Sequence, residues 1–258
     1  MVTSYGLKQV FPSPFRERVR VRVDRRTTCP LTPTLSPFWG RGSTILGGLR
    51  RSRSLQLSAI LAIAVTAYAQ SPAERPQAIL DRAVADFQRG RIAEAAAGFD
   101  SLARLVPDDA PQLWQRGIAL YYAGRYEDCR VQFESHRTVN PNDVENAAWH
   151  FLCVARDQSP EKARTALLPV GPDSRVPMRQ VYEMFRGKLT PEAVLAAAGN
   201  QPGAQFYAHL YLGLYFEALG VQDRAREHIT AAAADRYAVG GYMHTVARVH
   251  LGILQRRR

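Results

Sequence analysis

RGIALYYAGRYEDCRVQFESHRTVNP, residues 116–141, and RAVADFQRGRIAEAAAGFDSLARLVP, residues 82–107, align without a gap at an offset of 34. Gly90-Arg91-Ile92 falls on Gly124-Arg125-Tyr126, Ala83 on Gly117, Ala95 on Cys129, Phe99 on Phe133 and Pro107 on Pro141. Each match has a mechanical cause. Small residues at 83/117 and 95/129 let two helices approach closely, and the phenylalanines fill the space further along. A glycine permits the turn between the helices. A proline cannot continue the second helix and so ends the unit.

Between these marks the pattern predicts helices over 78–88, 92–105, 112–122 and 126–138, with the Asp108-Asp109 pair capping the helix that follows. A third occurrence lies near the C-terminus. Leu212-Gly213, Phe216, Gly220, Ala225, Ile229 and Ala232 repeat the same order of small, aromatic, turn, small, large and small residues, with Tyr237 in place of the closing proline. Gly124 and Gly220 are 96 residues apart, not the 102 of three full periods, so the middle is not made of clean copies. Segments 143–156, 160–168, 177–186 and 191–198 read as shorter helices joined by Pro/Gly turns. Segment 242–255 is amphipathic through Met243, Val246, Val249 and Leu254, and is expected to cap the open end.

Two helices per 34 residues is the tetratricopeptide arrangement. The expected fold is therefore all-α, a tetratricopeptide-like (TPR-like) α-α solenoid of antiparallel helical hairpins with a C-terminal capping helix. Residues 76–258 form this domain, with repeats at about 76–109 and 110–143, degenerate units over 144–205, a late repeat at 206–239 and the cap at 240–255.

The 258 residues carry a formal charge of +11, which on its face suggests a nucleic-acid partner. Residues 1–69 hold eleven Lys/Arg against two acids, leaving 23 basic and 21 acidic groups over residues 70–258. A nearly balanced domain generates little field for capturing phosphate, so nucleic acid is not expected as a partner. Within residues 44–69, Arg50, Arg51 and Arg53 precede the apolar run LQLSAILAIAVTAY, residues 55–68. That run is shorter than the about 20 residues of a membrane span but suits a signal peptide. Ala67 and Ala69 supply the small residues of a cleavage site, leaving Gln70 first and residues 70–75 as a linker. Residues 1–43, rich in Pro, Arg, Ser and Thr, read as a non-native or disordered extension ahead of the true start. Export implies a periplasmic or secreted protein, with no lipid anchor because no Cys adjoins the cleavage point. Cys129 and Cys153 remain downstream. In an oxidising compartment they could pair, but the reading favoured by their small-residue positions is two buried thiols.

Arg116-Gly117-Ile118-Ala119-Leu120-Tyr121-Tyr122, Gly124-Arg125, Pro141-Asn142-Asp143 and Trp149, followed by Tyr211-Leu212-Gly213-Leu214-Tyr215 and Leu219-Gly220, carry a resemblance beyond the repeat itself. The chain resembles the NlpI-type envelope tetratricopeptide proteins over about 80–250, the irregular middle included. The resemblance implies a periplasmic adaptor that docks proteases and cell-wall hydrolases. It does not carry over the lipid tether of that family's best-known member.

In such stacks the first helix of each hairpin lines the concave face. This places Phe87, Leu80 and Val84 there in the first repeat, Trp114, Ile118, Tyr121 and Tyr122 with the turn residue Arg125 in the second, and Tyr207, Leu210 and Leu214 in the last. Aromatic, partly apolar grooves anchor partner peptides and helices. Trp114 and Ile118 stand where a carboxylate clamp would need Lys and Asn, so that mode of binding is not expected. Catalysis has little support. The six histidines form no HExxH motif or i, i+4 metal pair, and neither a phosphate loop nor a GxSxG elbow occurs. His244 and His250, six apart, are expected on different faces of the last helix. The sequence thus predicts a non-enzymatic adaptor without metal or cofactor. Its partners would be an envelope protease, a hydrolase or an assembly factor. A structural subunit of an outer-membrane or secretion complex is the alternative, and a homodimer is left open.

Overall fold

The computed structural model describes residues 75–256. The extension 1–43, the signal-peptide residues Ala67 and Ala69, and Gln70 lie outside the described residues. Those described are all-α, with no strand among them. The helices are α1 (Pro76–Gln88), α2 (Ile92–Leu105), α3 (Trp114–Tyr122), α4 (Tyr126–Arg137), α5 (Val144–Asp157) and α6 (Pro160–Thr165). They continue with α7 (Met178–Phe185), α8 (Pro191–Ala198), α9 (Pro202–Ala218), α10 (Gln222–Ala232) and α11 (Gly241–Arg256). None is long and apolar enough to cross a membrane.

The hairpins α1–α2, α3–α4 and α9–α10 turn in the same way. Gly90, Gly124 and Gly220 have φ of 72°, 74° and 77°, a left-handed conformation that costs glycine little and other residues much. The residue after each glycine donates its backbone N–H five residues back: Arg91 to Asp86, Arg125 to Leu120 and Val221 to Phe216, at 2.9–3.0 Å. This closes the last carbonyls of the first helix. Gly187 makes the same turn between α7 and α8, with Lys188 donating to Glu183 at 2.8 Å. The irregular middle therefore contains one hairpin of the same kind.

Close approach explains the other paired small residues. A Cβ on Gly117 would lie 2.7 Å from the Phe133 ring, and one on Gly213 would lie 2.6 Å from Ile229 Cγ1 and 3.0 Å from its backbone N. The late hairpin thus repeats the contact of the second, with isoleucine in place of phenylalanine.

Two helices form the core. In α5 every residue from Val144 to Val154 is buried, and the helix is packed by α3, α4, α6, α7 and α9. α9 is apolar on nearly all sides and is packed by α5, α7, α8 and α10. The Asp108-Asp109 pair does not cap α3. It opens a 3-10 turn, Pro107–Gln112, and α3 starts at Trp114 behind Leu113, with no side-chain cap. Pro111 inside that turn leaves the segment unable to join α3 as one α-helix.

The last helix does more than cover α10. α11 also packs against α1, and the Tyr242 ring stacks on Phe87 at 5.7 Å and meets Trp114 edge-on at 5.1 Å. His244 and His250 are both buried. The His244 ring meets the Ala234 carbonyl at 3.1 Å, whereas His250 lies between Tyr122 and Glu217. Cys129 on α4 and Cys153 on α5 are joined as a disulfide with Cα atoms 5.9 Å apart, so the pairing stands in place of the favoured free thiols.

Candidate functional site, an aromatic cavity beside Trp114

The residues assigned from sequence to the concave face separate into three groups. Phe87, Ile118, Leu210 and Tyr121 are buried and belong to the core. Arg125 is exposed, and its guanidinium bridges Asp100 at 2.5 Å and Asp128 at 2.6 Å, tying the second turn back to α2. Trp114, Tyr122 and Tyr207 are half-buried. For Phe87 the cover is α11, whose Tyr242 stacks on it, whereas Tyr121 packs against Tyr126 and Trp149.

Tyr122 is held by α11. Its hydroxyl lies 2.9 Å from His250 Nδ1, and His250 Nε2 lies 3.1 Å from Glu217 Oε2. Glu217, 6% exposed, also faces Arg156 at 3.6 Å.

Trp114 remains open on one side. Between α3, α4, the start of α5 and Met243 of α11 lies a cavity of about 210 Å³. Trp114, Phe133 and Trp149 form its aromatic walls, and Gln112, His136, Val139, Asn140, Asp143, Glu145 and Asn146 complete the lining. The Tyr121 ring backs Trp149 at 5.5 Å.

Beneath the cavity Arg175 gathers three carboxylates. It reaches Asp143 and Glu145 at 2.5 Å each and Asp173 at 2.6 Å, and Tyr211 donates its hydroxyl to Glu145 at 2.5 Å. Asp143 also caps α5 by accepting from the Glu145 N–H at 3.0 Å. Burial raises the Glu145 carboxyl, and the charge of Arg175 opposes this without cancelling it. Burial also pushes Asp173 up, but there the Arg175 guanidinium prevails and holds the carboxyl below its ordinary range. The negative charge of Glu145 is also the largest cause raising the Tyr207 phenol, which puts that sequence-assigned residue beside the cluster.

His136 is 6% exposed, and its Nδ1 meets the Pro111 carbonyl at 2.8 Å. A carbonyl only accepts, so Nδ1 carries the proton and Nε2 keeps a lone pair. Burial pushes the imidazole below its ordinary value, as it does those of His150, His209 and His228. His209 and His228 face each other with Nδ1 atoms 3.0 Å apart, and a charge on His209 adds to burial in disfavouring one on His228. All four take up a proton more readily unfolded than folded. The stability tied to their neutral rings is intact above the unfolded value of about 6.5 and is lost as pH falls through the folded values. Thermal melting at fixed ionic strength is expected to shift downward from about pH 7 to about pH 5. An unchanged melting temperature over that range would contradict the buried-neutral assignment.

Of the residues assigned from sequence, Trp114 lines the cavity, whereas His136, Asp143, Glu145, Asp173 and Arg175 were not among them. Glu145 reads as an ordinary first-turn acid, and Arg175 lies in a Pro/Gly segment without periodicity. No protein-family model matches the chain.

Proposed function

We propose that the protein is an exported, non-enzymatic adaptor of the bacterial cell envelope. In this reading, a tetratricopeptide-like stack of hairpins holds a partner polypeptide at the cavity beside Trp114 and delivers it to an envelope protease, a peptidoglycan hydrolase or an assembly factor. The observation that carries the reading is the cavity itself. It opens on the first helix of the second repeat, beside Trp114, one of the residues assigned from sequence to the binding face. Its lining offers shape, aromatic surface and hydrogen-bond acceptors, the features of a binding cavity. The shared turns of the three hairpins support the repeat assignment, and the Cys129–Cys153 disulfide accords with an oxidising compartment.

Affinity capture from envelope extract tests this with paired baits, the native chain and Trp114→Ala. Trp114 is a half-buried aromatic anchor, and its truncation is expected to cost about 2 kcal/mol of binding, roughly a thirtyfold loss of captured partner. Equal capture by a Trp114→Ala chain with unchanged circular dichroism would remove the cavity from the binding surface.

A further inference from the structure

We infer that the cavity beside Trp114 receives a basic side chain, lysine or arginine, of the bound partner polypeptide. This rests on the polypeptide-binding reading of the same cavity and adds the chemistry of its occupant.

Charge comes first. The lining contains two carboxylates, Asp143 and Glu145, and no Lys or Arg. The single guanidinium behind them, Arg175, is shared with a third carboxylate, Asp173. One positive group against three acids leaves the wall negative, and it stays negative even with Glu145 protonated. An anionic or oxygen-rich ligand would meet repulsion here, and a purely apolar one would leave the excess charge uncompensated.

Hydrogen-bonding capacity points the same way through a separate residue. His136 lines the cavity, is more than nine-tenths buried, and has spent its only N–H on the Pro111 carbonyl. Its Nε2 has no hydrogen-bond partner among the described residues, so what His136 can offer an occupant is an acceptor. The oxygens of Asp143 are acceptors as well. Asn146 Oδ1, buried without a partner, adds an acceptor, against one unpartnered donor in the lining, Trp149 Nε1. A group rich in donors, an ammonium or guanidinium, complements this predominance of acceptors.

Shape fixes the remainder of the ligand. A cavity of about 150 Å³ already admits benzene, so the about 210 Å³ here takes one long side chain and not a folded element. The methylene stem of Lys or Arg would lie on Phe133 and Met243, as such stems do on apolar surface. The cationic head would reach the faces of Trp114 and Trp149, the most favourable aromatic partners for a cation.

Trp114 and Trp149 are the only tryptophans among the described residues, and Trp39 is the third in the chain. The full chain labelled with 5-fluorotryptophan therefore gives three ¹⁹F signals, assigned by single Trp→Phe variants. Titration with N-acetyl-lysine methylamide is expected to move the Trp114 and Trp149 signals saturably while Trp39 stays still. The norleucine analogue, which keeps the stem and loses the charge, should bind about tenfold or more weakly, the worth of a charged hydrogen bond. Asp143→Asn retains a helix-capping side chain and should weaken the lysine probe while leaving the norleucine probe unchanged. Equal binding of the two probes, preference for the glutamate analogue, or no movement of either cavity signal would overturn the inference. All three of these outcomes are read on the native chain and do not depend on the folding of the variant. If the lysine probe fails while partner capture still depends on Trp114, the cationic occupant alone is wrong. If both fail, the polypeptide site itself falls.

Discussion

Replacing Arg175 by Met is expected to destabilise the fold by about 3–5 kcal/mol, the cost of removing one partner from a buried ionic cluster. What remains after the substitution decides the size of the effect. Glu145 is 7% exposed and depends on Arg175 and Tyr211 for its hydrogen bonds, and Asp143 and Asp173 sit on the same guanidinium. Methionine keeps much of the stem and supplies no charge, so three carboxylates are left facing one another. The damage would spread because Asp143 caps α5 and Asp173 accepts from the Val144 N–H, so the cluster sets the start of the central helix. Urea unfolding followed by circular dichroism measures the loss. Adding Glu145→Gln should cost less in the Arg175→Met background than in the native chain, the sign of a coupled pair. A loss below about 1 kcal/mol would mean that water solvates these acids and the cluster is not a buried unit.

The second large effect belongs to the disulfide. Cys129 and Cys153 are 24 residues apart, and closing a loop of that length restricts the unfolded chain by about 3.5 kcal/mol on the chain-entropy account. Cys129→Ser with Cys153→Ser should lower the urea midpoint accordingly. Both cysteines are fully buried, so a reductant should leave the native fold unaltered and act only as the chain opens. Free-thiol titration of unfolded, unreduced protein checks the premise directly, and a full count of thiols from residues 129 and 153 would refute it.

What could be read from sequence was what a single residue type enforces. Gly90, Gly124 and Gly220 were legible because a left-handed turn residue is almost always glycine, and Gly117 because only hydrogen fits against Phe133. The offset of 34 then located both early hairpins. Gly187 makes the same turn, but the Pro-rich segments on either side of α7 break the period that would have exposed it. The face assignment was harder. Phe87, Ile118 and Leu210 were assigned to a groove but are buried, and nothing local reveals that α11 packs on α1 through Phe87. That packing depends on Tyr242 reaching Phe87 over more than 150 residues of chain. The cavity was invisible for a related reason. His136, Asp143 and Arg175 come from a helix, a cap and an irregular loop, and only tertiary structure brings them to one wall. Cys129 and Cys153 were visible as a pair, but their small-residue positions favoured free thiols, which the disulfide overturns.

Docking of a polypeptide at the cavity beside Trp114 is tested most directly by photo-crosslinking in envelope extract, with p-benzoyl-phenylalanine at Val139 on the cavity rim or at Val131 on the outer side of α4. Both positions are similarly exposed, at 45% and 49%, so accessibility alone does not favour either. The expected result is a discrete protein adduct from position 139 that disappears with Trp114→Ala, and none from position 131. Equal adducts at the two positions, or an adduct at 131 alone, would contradict polypeptide docking at this cavity.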